Sequence, residues 1–190
     1  MNGIERIVGA ELLPDEQLLW AGQPSPQKLF TKTDMYLVPF SIFFCAIPIM
    51  AIASMLEAGA LFGLVIIIPF LAVGLYLMAG RFFVKAHTKK RTVYAVTSRR
   101  VLCLTLGSAG EKKKETADVI ANIRNEYVTT GRDGSGNLYF GDVPYYARVY
   151  LNTGLEFLSM YRHHTVVFVD VDEAQRVYEI YRSAKYGVNK

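Results

Sequence analysis

Hydrophobic and polar positions divide the chain into three stretches. The middle one is apolar almost without a break. The 22 residues Met35–Leu56 carry no charge, Glu57 follows, and the 23 residues Ala58–Gly80 carry none. A helix needs roughly 20 apolar residues to cross the hydrocarbon of a bilayer, so each half is long enough alone. As a single helix the 46 residues would run roughly 69 Å, far more than one crossing needs. The pattern predicts a transmembrane hairpin over 35–80, with helices at about 35–56 and 58–80 and a turn at Glu57. A cleavable leader does not fit, because its apolar region holds only about 7–15 residues and sits nearer the start.

After Arg91 the pattern changes to short alternating runs. Thr92–Thr97 is β-branched and aromatic. In Arg100–Gly107, Val101, Cys103 and Thr105 fall on one face and Leu102, Leu104 and Leu106 on the other, so both faces are expected to be covered. Ser98 and Arg99 alone separate these runs, which predicts a tight hairpin. Gly107–Glu115 reads as a polar loop, with Lys112, Lys113 and Lys114 solvated. Ala117–Gly131 supplies one or two strands, and Arg132–Asn137 is dense in turn residues. Leu138–Val143, Arg148–Asn152, Leu155–Met160 and Thr165–Val169 complete about seven strands, the pattern of a β-barrel or sandwich.

The last stretch is helical. Val171, Ala174, Val177, Tyr178 and Tyr181 recur at helical spacing over about 170–186. Asp170 with Glu173 forms a capping-box arrangement, and Gly187 is a stop signal. Such an amphipathic helix would close an open end of the β-structure. The fold class expected is therefore α+β or mainly β: a two-helix transmembrane hairpin, then a seven-stranded barrel or sandwich capped by a C-terminal amphipathic helix. The parts are an N-terminal segment 1–34, the hairpin 35–80 and a domain 81–190.

Charge gives this plan an orientation. Residues 1–34 hold three Lys/Arg and five Asp/Glu, a net of −2, while residues 81–190 hold eighteen and eleven, a net of +7. Lys28 and Lys32 precede the hairpin, and Arg81, Lys85, Lys89, Lys90 and Arg91 follow it, whereas the turn at Glu57 has no cation nearby. Positive residues flanking membrane helices stay in the cytoplasm, so both termini are expected there. The hairpin interior has no Asp, Glu, Lys, Arg or His at hydrocarbon depth, which argues against a transporter or channel. Gly59 and Gly63 form a small-residue pair suited to close helix packing, although Gly59 equally suits the turn. Trp20 reads as an interface anchor or as a residue packed on the basic domain; the opposite net charges favour the domain.

Several short motifs resemble those of the bacterial membrane proteins with a pleckstrin-homology-like (PH-like) domain. They are Leu13–Pro24 ahead of the hairpin, Gly74–Phe82 at its exit, Tyr94–Leu102 at the first β-hairpin and Asp133–Gly141 in mid-domain. The resemblance implies a PH-like module tethered to the bacterial inner membrane on its cytoplasmic side, without enzymatic activity.

Candidate chemistry changes this picture little. Nucleotide-binding, zinc-protease and CxxC motifs are absent. Asp133–Asn137 begins like a calcium loop, but Leu138 stands where glycine is needed and Pro144 where the closing glutamate belongs. His163 and His164 are adjacent and would point to opposite faces of a strand. No metal site, cofactor or catalytic residue is expected. The cations Arg81, Lys85, Lys89, Lys90, Arg91, Arg99 and Arg100 are candidates for contact with anionic phospholipid. The very short loop at Arg99 leaves little room for an inositol-phosphate pocket. Nucleic acid is an unsuitable partner, because most cations crowd the membrane exit. The function expected is a non-catalytic membrane-anchored binding module that takes a protein partner, itself or anionic lipid. The alternative is an accessory subunit of an integral-membrane enzyme or transport complex.

Overall fold

The computed structural model describes residues 3–31, 33–107, 112–159 and 165–187. The chain forms two compact units: one of Met1–Lys28, His87–Arg148 and Met160–Lys190, the other of Leu29–Ala86 and Val149–Ser159.

The first unit holds seven strands in two antiparallel sheets. One sheet has the order β1-β2-β3-β4, with β1 Leu18–Gly22, β2 Thr92–Thr97, β3 Arg100–Leu106 and β4 Lys112–Val119. The other has the order β5-β6-β7, with β5 Glu126–Thr130, β6 Gly136–Phe140 and β7 Val167–Val171. No strand ladder joins the two sheets among the described residues, so they do not close into a barrel, although residues of both share one core. The β2–β3 hairpin turns through Ser98 and Arg99 as expected, pairing Tyr94 with Cys103 and Val96 with Val101.

Both faces of β3 are covered, each by a different partner. Val101 joins Tyr94, Val96, Leu138, Phe140 and Phe168 in the core that also receives Ala174, Val177 and Tyr181 of α6 (Ala174–Tyr186). Leu102, Leu104 and Leu106 join Val93, Ala95 and Val8 on the opposite face. Val8 belongs to α1 (Gly3–Gly9), whose Ile4 and Ile7 pack on the same cluster. The N-terminal residues are thus part of the β-unit: β1 pairs along β2, and α1 covers the outer face. Six of the seven strands come from the region after the hairpin, and the N-terminal segment supplies the seventh.

Other elements differ from expectation. The region around Arg148 is a short helix, α5 (Tyr145–Tyr150), with Ala147 buried, and Glu156–Ser159 is a 3-10 turn. Runs this short carry no decisive period, and tertiary context overrides their β-propensity. Lys112 begins β4, so the loop after β3 is shorter than the polar stretch implied. Asp170 lies in β7 and α6 begins at Ala174, where no side chain caps the helix; Glu173, in the left-handed conformation, precedes it. The capping box does not form: Asp170 is a strand residue, three positions before the N-cap Glu173, and its carboxylate pairs with Lys89. Gly187 ends α6 in the left-handed conformation, as the sequence implied. His163, His164 and Lys32 lie outside the described residues.

The second unit is built on two long apolar helices. The first is α2 (Asp34–Glu57). The second runs over Leu61–Lys90 and is helical through α3 (Leu64–Leu75), one π-turn (Tyr76–Gly80) and α4 (Arg81–Lys90), of which the last residues, His87–Lys90, belong to the first unit. Both are long and apolar enough to cross a membrane, and most of their side chains are exposed. Gly59 turns the chain at φ +67°. Close packing uses Gly74: a β-carbon there would stand 2.5 Å from Cys45 Sγ and 3.5 Å from the Cys45 Cα.

Candidate functional site

The seven cations singled out in the sequence divide between the two units. Within the helical unit, Arg81 is fully buried and ion-paired with Asp34. Its Nε donates to the Leu77 carbonyl at 2.6 Å, and Asp34 accepts from the Thr31 hydroxyl at 2.8 Å. Lys85 is buried and donates to the Leu29 carbonyl. Asp34 lies 23 residues before Glu57 and Arg81 lies 24 after it. An antiparallel hairpin turning near Glu57 therefore sets them opposite each other. That symmetry is visible in the sequence spacing alone.

Within the β-unit, Lys89 is 5% exposed. Its ammonium has three donors and three acceptors around it: the Ser25 carbonyl at 3.0 Å, the Lys28 carbonyl and the Asp170 carboxylate. Arg100 pairs with Glu16 at 3.0 Å and donates to the Glu11 carbonyl at 2.6 Å. Lys90 and Arg99 are exposed and Arg91 is half-buried. Lys90 and Arg91 precede β2 while Arg99 follows it, so they sit at opposite ends of a strand roughly 20 Å long. Exposed charge among the seven is reduced to Lys90 and Arg99, at these separated positions.

Glu16 is the node that binds the N-terminal segment to the β2–β3 hairpin. Its side chain is shielded from solvent. One oxygen accepts from the Leu13 N–H at 2.8 Å, the other from the Thr97 hydroxyl at 2.6 Å and from Arg100 Nε. Burial alone would raise its pKa. The hydrogen bonds from Arg100, Leu13 and Thr97 outweigh burial, and the carboxyl is held below its ordinary value. A second charged tie joins Lys28 to Asp133, whose carboxyl is held at about 2 by the hydrogen bonds of Lys28 and Ser135. A third fastens α6 to β5: Lys185 donates to Glu126 and to the Ile123 carbonyl, both at 2.7 Å.

Trp20 lies on β1, opposite Val96, with its ring centroid 6.0 Å from that of Phe168. It packs on the domain, the choice the charge balance favoured. Gly59 has no neighbour that a β-carbon would meet, so its role here is the turn. A β-carbon on Gly63 would meet the Met55 side chain at 2.7 Å, inside the same hairpin.

Two concavities mark the β-unit. A polar cleft of about 620 Å³ lies where β4 and β6 end, lined by Asp118, Arg124, Asn125 and Asp142 among others. Its carboxylates have structural partners: Asp118 accepts from the Val166 N–H at 2.6 Å and Asp142 from Asn125 at 2.8 Å. A shallower groove of about 470 Å³ runs between β1 and α6, with Leu19, Ile180 and Ala184 in its lining and Arg176 and Glu179 beside them. Among the described residues no group of three His, Cys, Asp or Glu is placed to hold a metal ion. No family model, curated protein or solved structure matches the chain.

Proposed function

We propose that this protein is a non-catalytic binding module of PH-like fold. The two apolar helices anchor it in the bacterial inner membrane with both termini in the cytoplasm, and its partner is a protein. Two stacked antiparallel meanders followed by a C-terminal helix support the PH-like reading. Two long helices with outward-facing apolar side chains support the anchor, because water would leave that surface unfavourably solvated.

The observation that carries the choice of partner is the placement of the cations. Arg81, Lys85, Lys89 and Arg100 are bonded inside the chain, and the exposed Lys90 and Arg99 are a strand apart. A headgroup site needs several cations converging on one anion. The groove between β1 and α6 instead mixes Leu19, Ile180 and Ala184 with Arg176, Glu179, Ser98 and Ser183, a mixed apolar and polar lining that suits a protein surface better than a lipid headgroup.

The test is site-specific photo-crosslinking from Ser183 in the full-length chain, in cells. A discrete adduct with one protein is expected, and it should disappear on Ile180→Asp. An adduct with lipid alone would return the function to lipid reading. An adduct with a second copy of the chain would make the module self-assembling.

A further inference from the structure

The segment Val149–Ser159 is a chain excursion that belongs with the long helices. Tyr76, in the π-turn of the second helix, donates its hydroxyl to the Gly154 carbonyl at 2.7 Å. Arg81 Nη1 reaches the Thr153 carbonyl at 3.5 Å. At Gly154 the contact is backbone on backbone: φ is +79°, and a β-carbon would stand 2.6 Å from the Arg81 carbonyl oxygen.

The level of this attachment matters. Tyr76 precedes Arg81 by five residues, roughly 7.5 Å down the helix axis. Exposed apolar side chains flank it on both sides along the helix: Val73 and Leu75 before, Phe83 and Val84 after. The charge on Arg81 does not mark a water boundary, because it is buried against Asp34. The apolar surface therefore continues past the end of the uncharged run, and the segment is fastened within it.

Part of the segment's irregular backbone is satisfied from within, as a water-poor layer requires, and Glu156, which supplies one acceptor, is itself exposed. Such backbone has to satisfy its own polar groups. Glu156 Oε1 accepts from the N–H groups of Thr153 and Gly154, at 3.0 and 3.3 Å. The Thr153 hydroxyl donates to the Tyr150 carbonyl at 2.6 Å and accepts from the Leu155 N–H at 3.2 Å. Leu158 N–H closes on the Leu155 carbonyl at 2.9 Å. Leu158 and Val149 nevertheless leave their side chains exposed.

We infer that Val149–Ser159 is a second membrane contact, a non-spanning loop that lies in the cytoplasmic interface of the bilayer with Leu158 and Val149 in the acyl-chain boundary. The inference rests on the membrane reading of the two helices and assigns its lipid surface a third element.

Depth-resolved quenching tests it on the full chain in liposomes. In a Trp20→Phe background, Leu158→Trp serves as the probe and Ile66→Trp, on the exposed side of α3, as the control. Phosphatidylcholine brominated at shallow or at deep acyl positions is the quencher. Leu158→Trp should lose emission to shallow bromines more than to deep ones, and Ile66→Trp should lose it to bromolipid as well. Quenching of Ile66→Trp without quenching of Leu158→Trp would overturn the inference and leave the anchor standing. Absence of quenching at both would overturn the two together. A blue-shifted, unquenched Leu158→Trp would mean that protein covers the segment, and would equally overturn it. Val149→Trp repeats the measurement at a second exposed site, and Leu158→Trp combined with Tyr76→Phe should lose part of its shallow quenching as the tether is removed.

Discussion

Removing the Glu16 carboxylate should detach the N-terminal segment from the sheet it completes. Glu16→Ala deletes acceptors for the Leu13 N–H, the Thr97 hydroxyl and Arg100 Nε. It leaves Arg100, whose side chain is 14% exposed, with the Glu11 carbonyl as a neutral partner. Breaking a buried pair by removing one partner costs about 3–5 kcal/mol, and residual solvent access at Arg100 lowers this to about 2–4 kcal/mol. At roughly 2–4 °C per kcal/mol for a chain of this size, the melting point should fall by about 4–16 °C. The reporter is built in: Trp20 is the one tryptophan, and it lies on β1 against Phe168. Its emission should shift red in Glu16→Ala well before the second sheet unfolds.

The pH dependence has a definite sign. The folded state holds the Glu16 carboxyl below its ordinary 4.5. Folding therefore favours the ionised form, and the contribution is complete above that value and drains away as pH falls through the folded-state pKa. The gap in stability between the natural chain and Glu16→Ala should be flat across neutral pH and close on acidification. Glu16→Leu with Arg100→Met should recover much of the loss, because both charged partners go together. The reasoning is refuted if Glu16→Ala melts within error of the exposed control Asp172→Ala, or if the gap widens in acid.

Further outcomes follow from other contacts. Val8→Asp places an unpaired charge on the outer face of the first sheet, where Val8 is fully buried; a loss of about 3–5 kcal/mol, read by Trp20 unfolding, is expected. Asp34→Ala leaves the buried Arg81 uncompensated and should cost the helical unit a similar ~3–5 kcal/mol in mixed-micelle unfolding, partly restored by adding Arg81→Met. Gly74→Val cannot be accommodated by side-chain movement alone, since Cys45 backbone lies close behind its Sγ; cross-linking between cysteines placed at Ser41 and Leu77 should weaken. Glu57→Cys in a Cys45→Ala, Cys103→Ala background should react with an impermeant maleimide added outside spheroplasts, and an unreactive thiol there would contradict the orientation.

Legibility in the sequence followed the strength of the local pattern. The long apolar runs, the Ser98–Arg99 hairpin and the helix ending at Gly187 all appear where a dominant period or a turn residue marks them. The double-sided apolar pattern of β3 correctly implied cover on both faces, but it could not say that α1 supplies one of them. The signal for α1 was present in Ile4, Ile7 and Val8, but a helix of 7 residues is too short to stand out. Arg148–Asn152 and Leu155–Met160 differ from the expected strands because five or six residues with apolar positions fit a strand and a helical turn equally well. Lys85 and Lys89 read as membrane-facing charge, since a sequence records that a cation is present and not which carbonyls surround it.

What the sequence determined by itself is therefore local and one-dimensional: two stretches long enough to cross a bilayer, an order of strands, a terminal amphipathic helix, and a charge bias across the hairpin. Each depends on composition or spacing within a window of one element. Only the tertiary structure decided which residues complete which sheet, which cations are internal, and which loop returns to the long helices. Glu16 meets Arg100 across 84 residues, Lys89 meets Asp170 across 81, and Tyr76 meets Gly154 across 78. Pairings at that separation leave no periodic trace. They arise when burial removes water from a charged or polar group and the fold must supply its partner.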